Sequence, residues 1–381
     1  MNEPATSHEG GMYIHIPFCK QACHYCNFHF STSLHYKSEI VAALCKEIEL
    51  KAISNIPFTI HSIYFGGGTP SLLTKNEIAK ILDKVNSSFK VTPDAEITLE
   101  ANPDDITKES IELYLGQGIN RLSIGVQSLT DEHLRWMNRS HNAIQARTAI
   151  RQTMDAGITN LNIDLIFGIP GLTDDQLTQY IEFIKENEIP HVSAYNLTVE
   201  EQTMLNKKIR QGEIILPGED KNVTEYLLIH LLLTENGYQH YEISNYALKG
   251  MESRHNKAYW EGKPYIGIGP SAHSYDGQKR SWNIANNQKY IRSINENKLP
   301  EDSEIINNET RFNEWLMTRL RTAVGISEEQ LLHQEQSLIS HFKKKSYTFI
   351  QQGDIIYNNG HYKLTPESWI ISDHIISSLF I

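Results

Sequence analysis

Short runs of β-branched and apolar residues recur through the first half of the chain. Each is followed by a segment with apolar residues at helical spacing. Strands are predicted at 13–16, 62–65, 96–100, 121–126, 160–167 and 192–197, with helices at 39–53, 75–85, 108–115, 143–156 and 174–186 between them. Thr74, Thr107, Asn142 and Thr173 each precede a periodic run, where a side-chain oxygen can accept from the first free N–H groups of a helix. Repeated strand–helix alternation predicts parallel strands joined by crossover helices. Near-continuous apolar strands such as NLNIDLIFG suit a parallel sheet covered on its outer face. The expected fold is α/β: a partial (β/α)6 barrel, TIM-like but incomplete.

Beyond Gly237 the rhythm changes. Stretches 238–246 and 265–275 contain short strands and turns rich in aromatics and glycine, and the polar stretch 283–308 reads as a connector. Helices are expected at 312–322, in one or two pieces over 328–344, and at 369–379. Segments 354–357 and 361–364 flank Asn359-Gly360, a strong hairpin signal. The expected division is a core barrel over 1–237, a connector over 238–300, and a small helical, winged-helix-like C-terminal domain over 301–381.

Charge narrows the function classes. The net charge of -11 over 381 residues argues against non-specific binding to nucleic acid or to anionic membranes. The winged-helix shape suggests DNA, but residues 301–381 carry 7 Lys/Arg against 11 Asp/Glu, which excludes it as a first choice. No apolar run approaches the ~20 residues of a membrane span, and the start MNEPATSHEGG has no signal-peptide core. A cytoplasmic protein is expected, with no membrane insertion and no disulfide framework.

Three of the four cysteines, Cys19, Cys23 and Cys26, form a CxxxCxxC loop directly after the first predicted strand. Thiolates are soft ligands suited to iron–sulfur clusters. Three of them can each take one iron of a cubane and leave the fourth iron open to the amino and carboxylate groups of S-adenosylmethionine. A Cys₃His zinc site using His15, His24 or His29 is the alternative, though zinc hooks usually pair CxxC motifs across longer loops. Cys45 stands alone in a helical pattern and reads as a buried core thiol. Gly66-Gly67-Gly68-Thr69-Pro70 closes the second strand, and glycine lets a ligand approach the backbone closely. Glu100, Gln127 and Asp164 end later strands, and Arg139 follows the fourth. Polar groups at the ends of apolar strands are costly unless solvated or paired, so they should face one polar opening. A further cluster holds Tyr241-Glu242-Ile243-Ser244-Asn245-Tyr246, then His255-Asn256-Lys257-Ala258-Tyr259-Trp260, then Gly267 to His273. Its aromatic and histidine residues, if exposed, could stack on and ligate a flat macrocycle.

Together YIHIPFCKQACHYCNF, YFGGGTPSLL, ITLEANP, RLSIGVQS, NIDLIFGIPG, YEISNYA, HNKAYW and YIGIGPSAHSY resemble the radical-SAM family of oxygen-independent coproporphyrinogen oxidases and their relatives, the HemW heme chaperones. The resemblance covers nearly the whole chain. It implies a radical-SAM barrel in which Cys19, Cys23 and Cys26 hold a 4Fe-4S cluster. It also implies that Tyr13, Tyr25, Gly67, Gly68, Thr69, Glu100, Gln127, Arg139, Asp164 and Leu197 line the S-adenosylmethionine site. In the oxidase branch a further cysteine follows the third by two positions, where this chain has Phe28, and a long N-terminal extension precedes the first strand. The HNxxYW sequence looks like the heme-binding signature of the chaperone branch, implicating His255, Tyr259 and Trp260, with His273 the next candidate ligand. The expected partners are heme and a heme-acceptor protein, with a homodimer as one arrangement and no nucleic acid.

Overall fold

A computed structural model of the chain describes residues 9–53 and 58–381; residues 1–8 of the polar N-terminal stretch lie outside the described residues. Six strands alternate with helices: β1 (Glu9–Ile16), β2 (Thr59–Gly67), β3 (Val91–Ala101), β4 (Arg121–Gln127), β5 (Leu161–Phe167) and β6 (His191–Asn196). Each pairs in parallel with its predecessor, as crossover connections require. Helices Lys37–Ile53, Lys75–Ser88, Lys108–Gly116, Ala143–Asp155 and Asp174–Glu186 fill the crossovers. All four expected caps are present. Thr74, Thr107, Asn142 and Thr173 accept from the third helical N–H, and in each case that residue's side chain returns the bond.

The strands are built on a period of two. Ile63 and Phe65 of β2 are fully buried with the helices, while Ser62 and Tyr64, of opposite parity, bond His255 and Glu100 in the lumen. In β5 the same alternation puts Ile163 in the core and Asn162 on Ser123 of β4, at 2.8 Å. The outer face is thus apolar, and the lumen is a hydrogen-bonded polar column.

The sheet continues past the six units. Strands β7 (Gln239–Glu242) and β8 (Asn245–Ala247) extend it antiparallel beside β6. On the other side β9 (Tyr265–Ile268) runs parallel to β1. Then β10 (His273–Tyr275), β11 (Lys279–Asn283) and β12 (Glu301–Ile305) follow antiparallel. The full order is β12-β11-β10-β9-β1-β2-β3-β4-β5-β6-β8-β7. The stretch read as a connector, 283–308, is therefore corrected: it holds helix Asn287–Asn295 and the edge strand β12. Strand β12, Glu-Asp-Ser-Glu-Ile, is almost wholly exposed, so it carries no apolar alternation to read.

Residues 308–378 form helices Asn308–Leu320, Glu328–Leu332, Gln336–Gln352, Pro366–Trp369 and Ser372–Ser378 around a three-stranded sheet. The hairpin Ile355–Asn358/His361–Leu364 turns at Asn359 (φ 50°) and Gly360 (φ 73°), the left-handed pair that a two-residue turn requires. Among the described residues no helix is long and apolar enough to cross a membrane.

Candidate functional site

A cavity of about 440 Å³ opens at the C-terminal ends of β1–β6, the end where barrels of this kind place their chemistry. The loop after β1 supplies Cys19, Cys23 and Cys26 to its wall. All three are free, half-buried thiols. Gly67, Gly68 and Thr69 follow β2, Glu100 ends β3, Gln127 ends β4, and Asp164 and Leu197 come from β5 and the end of β6. Tyr25 and Arg139 complete the expected set. Tyr13 does not reach the cavity. It lies one layer deeper, its hydroxyl 3.1 Å from His15 Nδ1 and its ring 6.2 Å from that of Tyr64.

The thiols fit an iron–sulfur cluster better than a zinc ion. None of the histidines offered for a Cys₃His site lines the cavity with the thiols: His15 bonds the His29 carbonyl and Tyr13, His24 the Trp136 carbonyl, and His29 Asn287. Burial pushes the Cys19 thiol up to about 11 and raises Cys26, so cations must supply the charge that holds them as thiolates. Arg139 Nη1 donates to Cys23 Sγ at 3.2 Å, and Nη2 donates to Asn102 Oδ1 and the Gly125 carbonyl at 2.7 and 2.8 Å. Its buried Nε has no partner among the described residues, and it remains a donor for a bound group. Cys19, Cys23 and Cys26 would hold such a cluster, which would supply a low-potential electron beside a bound sulfonium group. The protein's part is to hold and orient the two cofactors.

The glycines of GGGTP have a tighter purpose than close approach by a ligand. A β-carbon on Gly67 (φ +104°) would run into the His15 ring, and one on Gly68 would lie 2.5 Å from the Phe18 carbonyl oxygen. They let the cysteine loop pack onto the end of β2. Gly67 N also donates to Glu100 Oε2 at 3.1 Å, while Tyr64 donates to Oε1 at 2.9 Å. Burial, and then the neighbouring Asp164 charge, raise the Glu100 carboxyl to about 7; burial raises Asp164 to about 6. A cation beside the pair would lower both carboxyls. Gln127 holds φ 65°, a left-handed backbone in a non-glycine residue and a strain typical of sites.

Two cavity residues carry no sequence signal of their own. Asn102 fixes Arg139, and Tyr195 projects from β6 beside Asp164. Tyr195 is legible only through strand parity, two positions before Leu197. Cys45 is half-buried between helices, its Sγ 3.7 Å from the Lys80 carbonyl, rather than fully in the core.

His255, Tyr259 and Trp260 lie elsewhere, on helix Arg254–Trp260. His255 is 2% exposed. Its Nδ1 meets Ser62 Oγ at 2.9 Å, its Nε2 meets Tyr259 OH at 3.1 Å, and its ring stacks on Tyr64 at 5.0 Å. The expectation of an exposed imidazole at this position is corrected: the helix plugs the lumen beneath the cavity. Glu96 of β3 secures it, accepting from the backbone N–H groups of Arg254 and His255 at 3.2 and 3.1 Å.

A model of the Radical SAM superfamily matches residues 13–184. Over 381 aligned residues, 99% of this chain and 96% of the relative, the chain is 32% identical to the Heme chaperone HemW of Mycobacterium tuberculosis. The chain belongs to the HemW family. It is also 34% identical to the Heme chaperone HemW of Bacillus subtilis, over 84% of this chain and 85% of that one. Among solved structures, the radical-SAM enzyme coproporphyrinogen III oxidase (HemN) of Escherichia coli shares the fold, with a TM-score of 0.84 at 21% identity over 98% of this chain and 90% of that one. This HemW-family chain is thus a radical-SAM protein with a partial α/β barrel, the fold that carries a 4Fe-4S cluster and S-adenosylmethionine.

Proposed function

We propose that this chain binds heme as cargo and passes it to an acceptor protein. Cys19, Cys23 and Cys26 hold the cluster in this reading, and S-adenosylmethionine lies across Tyr25, Gly67, Gly68, Thr69, Glu100, Gln127, Arg139, Asp164 and Leu197. The observation that carries the reading is membership of the HemW family, whose members in Mycobacterium tuberculosis and Bacillus subtilis are named heme chaperones. The cavity supports it. At about 440 Å³ it lies within the range of small-ligand sites. Phe28, 67% exposed at the cavity wall, offers neither a thiol nor a charge to a propionate-bearing substrate.

Anaerobically reconstituted protein is given reductant, S-adenosylmethionine and coproporphyrinogen III, and the porphyrins are chromatographed; separately it is titrated with hemin. Hemin binding without substrate conversion is expected. Catalytic formation of protoporphyrinogen would assign the chain to the oxidase branch. Cys19→Ser, Cys23→Ser or Cys26→Ser should each abolish the cluster absorbance, and Cys45→Ser should leave it unchanged.

A further inference from the structure

The ITLEANP stretch carries a residue outside the expected S-adenosylmethionine contacts. Asn102 directly follows β3 and opens the turn Pro103–Asp105. An asparagine in that place ordinarily caps the turn with its side chain, but here it makes no such bond. Its amide faces the cavity wall instead. Oδ1 accepts from Arg139 Nη2 at 2.7 Å, and Nδ2 donates to Thr69 Oγ1 at 3.5 Å. These partners fix which end of the amide is oxygen, because a guanidinium can only donate. Gly125 of β4 leaves room for the pair: a β-carbon there would lie 3.2 Å from Arg139 Nη2.

Each partner of Asn102 leads on to a sulfur. Arg139 Nη1 donates to Cys23 Sγ at 3.2 Å. Thr69 lies beside Cys19, its backbone N donating to the Phe18 carbonyl at 2.6 Å. Its Oγ1 accepts from Asn102, which leaves its own proton for Cys19. Burial raises the Cys19 thiol, and a hydrogen bond from the Thr69 hydroxyl offsets part of that rise. The residues after Asn102 grip the same loop. Asp104 and Asp105 both pair with Lys20, the neighbour of Cys19, and Asp105 also accepts from Ser71 Oγ at 2.6 Å. Residues 102–105 thus hold the cysteine loop by ion pairs at one point and by a single neutral amide behind two of its sulfurs.

We propose that Asn102 is a positioning residue that sets the reduction potential of the cluster, by aiming Arg139 at Cys23 and Thr69 at Cys19. The inference rests on the reading in which these cysteines hold a cluster, and it goes beyond that reading. Reduction adds one negative charge to the cluster and its thiolates. Donors on the sulfurs stabilise that charge, a cationic donor most of all, and so raise the potential. The aim of the arginine depends on what holds its other end. Without the Asn102 amide only the Gly125 carbonyl would hold Nη2, and Nη1 would lose its fixed direction toward Cys23. The Thr69 hydroxyl would likewise be free to turn its proton elsewhere.

The test is a redox titration of anaerobically reconstituted full-length protein without S-adenosylmethionine, following the electron paramagnetic resonance signal of the reduced cluster. Wild type is compared with Asn102→Leu, the milder Asn102→Ser, Arg139→Gln, and Asn102→Leu combined with Arg139→Gln. Iron and sulfide content should match wild type in each. Asn102→Leu should lower the midpoint by about 59 mV, a tenfold fall in the one-electron reduction constant, and Asn102→Ser should lower it too. Arg139→Gln should lower it further, and adding Asn102→Leu to that variant should do little more. Wild type that takes up no cluster would overturn the cluster reading and this assignment with it. A full cluster with an unchanged midpoint in Asn102→Leu would overturn the assignment alone, as would a fall of undiminished size on top of Arg139→Gln. Loss of the cluster in both Asn102 variants would also overturn it, by making Asn102 a structural support of the loop.

Discussion

Glu100 and Asp164 show how much a single residue reveals through its place in the amino-acid sequence. Glu100 stands next to the end of β3, whereas Asp164, expected at a strand end, sits at the middle of β5; each lines the cavity. Their neighbourhood was not legible, because the repulsion between them depends on β3 and β5 flanking β4 with both carboxylates on the lumen face. The Glu100 carboxyl is raised to about 7 from an ordinary 4.5. Between those values the native state binds more protons than the unfolded chain, so stability without ligand falls as pH rises. Glu100→Gln should remove that slope and raise the melting temperature at pH 8 but not at pH 4.5. A cationic ligand reverses the preference. S-adenosylmethionine should bind more tightly as pH rises through 7, by about tenfold per unit of pKa difference between free and bound states. Calorimetric titration at pH 6 and 8 measures this, and equal affinities in wild type would show that Glu100 does not face the ligand's positive charge.

Among the elements, helix Arg254–Trp260 carries the sharpest difference between pattern and place. The residue string HNKAYW reads as a surface for a macrocycle, yet the helix fills the lumen and its histidine bonds two hydroxyls. Nothing in the string reports this, because the partners Ser62, Tyr64 and Glu96 come from strands far away in sequence. The barrel strands and their crossover helices were legible because burial imposes periods of 2 and 3.6. Strand β12 was not, because its charged residues face water and its order comes from backbone pairing with β11. Charges on such an edge also discourage pairing with other chains. His255→Ala should leave the Ser62 and Tyr259 hydroxyls unpaired in a buried site, costing about 1–3 kcal/mol of stability. Urea unfolding gives the loss. Hemin affinity, measured well below the unfolding midpoint, should stay within about twofold of wild type, near the resolution of such a titration. A large fall in affinity with no loss of stability would return His255 to the ligand set.

At the scale of the whole molecule, the question is how residues 308–378 are tied to the barrel. Their helix–hairpin form was legible from Asn359-Gly360 and the helical periods, but their docking was not. Besides the Arg280–Glu314 ion pair and Arg319 Nη2 donating to the Glu261 carbonyl at 3.3 Å, it runs through backbone and aromatic contacts: Ile243 N donates to the Arg321 carbonyl at 2.9 Å, and Ala323 N to the Tyr241 carbonyl at 3.0 Å. Trp369, 4% exposed, meets His240 of β7 edge-on, ring centroids 4.4 Å apart, while its Nε1 donates to the Leu320 carbonyl at 3.2 Å. One side chain therefore fastens the C-terminal helices both to each other and to the edge of the sheet. Trp369→Ala should cost about 3–5 kcal/mol, and it should act on one part of the molecule first. The cavity depends on β1–β6 and the cysteine loop, none of which Trp369 touches. Thermal unfolding should change from a single transition in wild type to two in the variant, the lower one from the C-terminal helices. Cluster absorbance and S-adenosylmethionine affinity should survive between the two. If both were lost in the first transition, the C-terminal helices would belong to the cooperative unit of the barrel, and the contacts through His240 and Tyr241 would support the site as well as the fold.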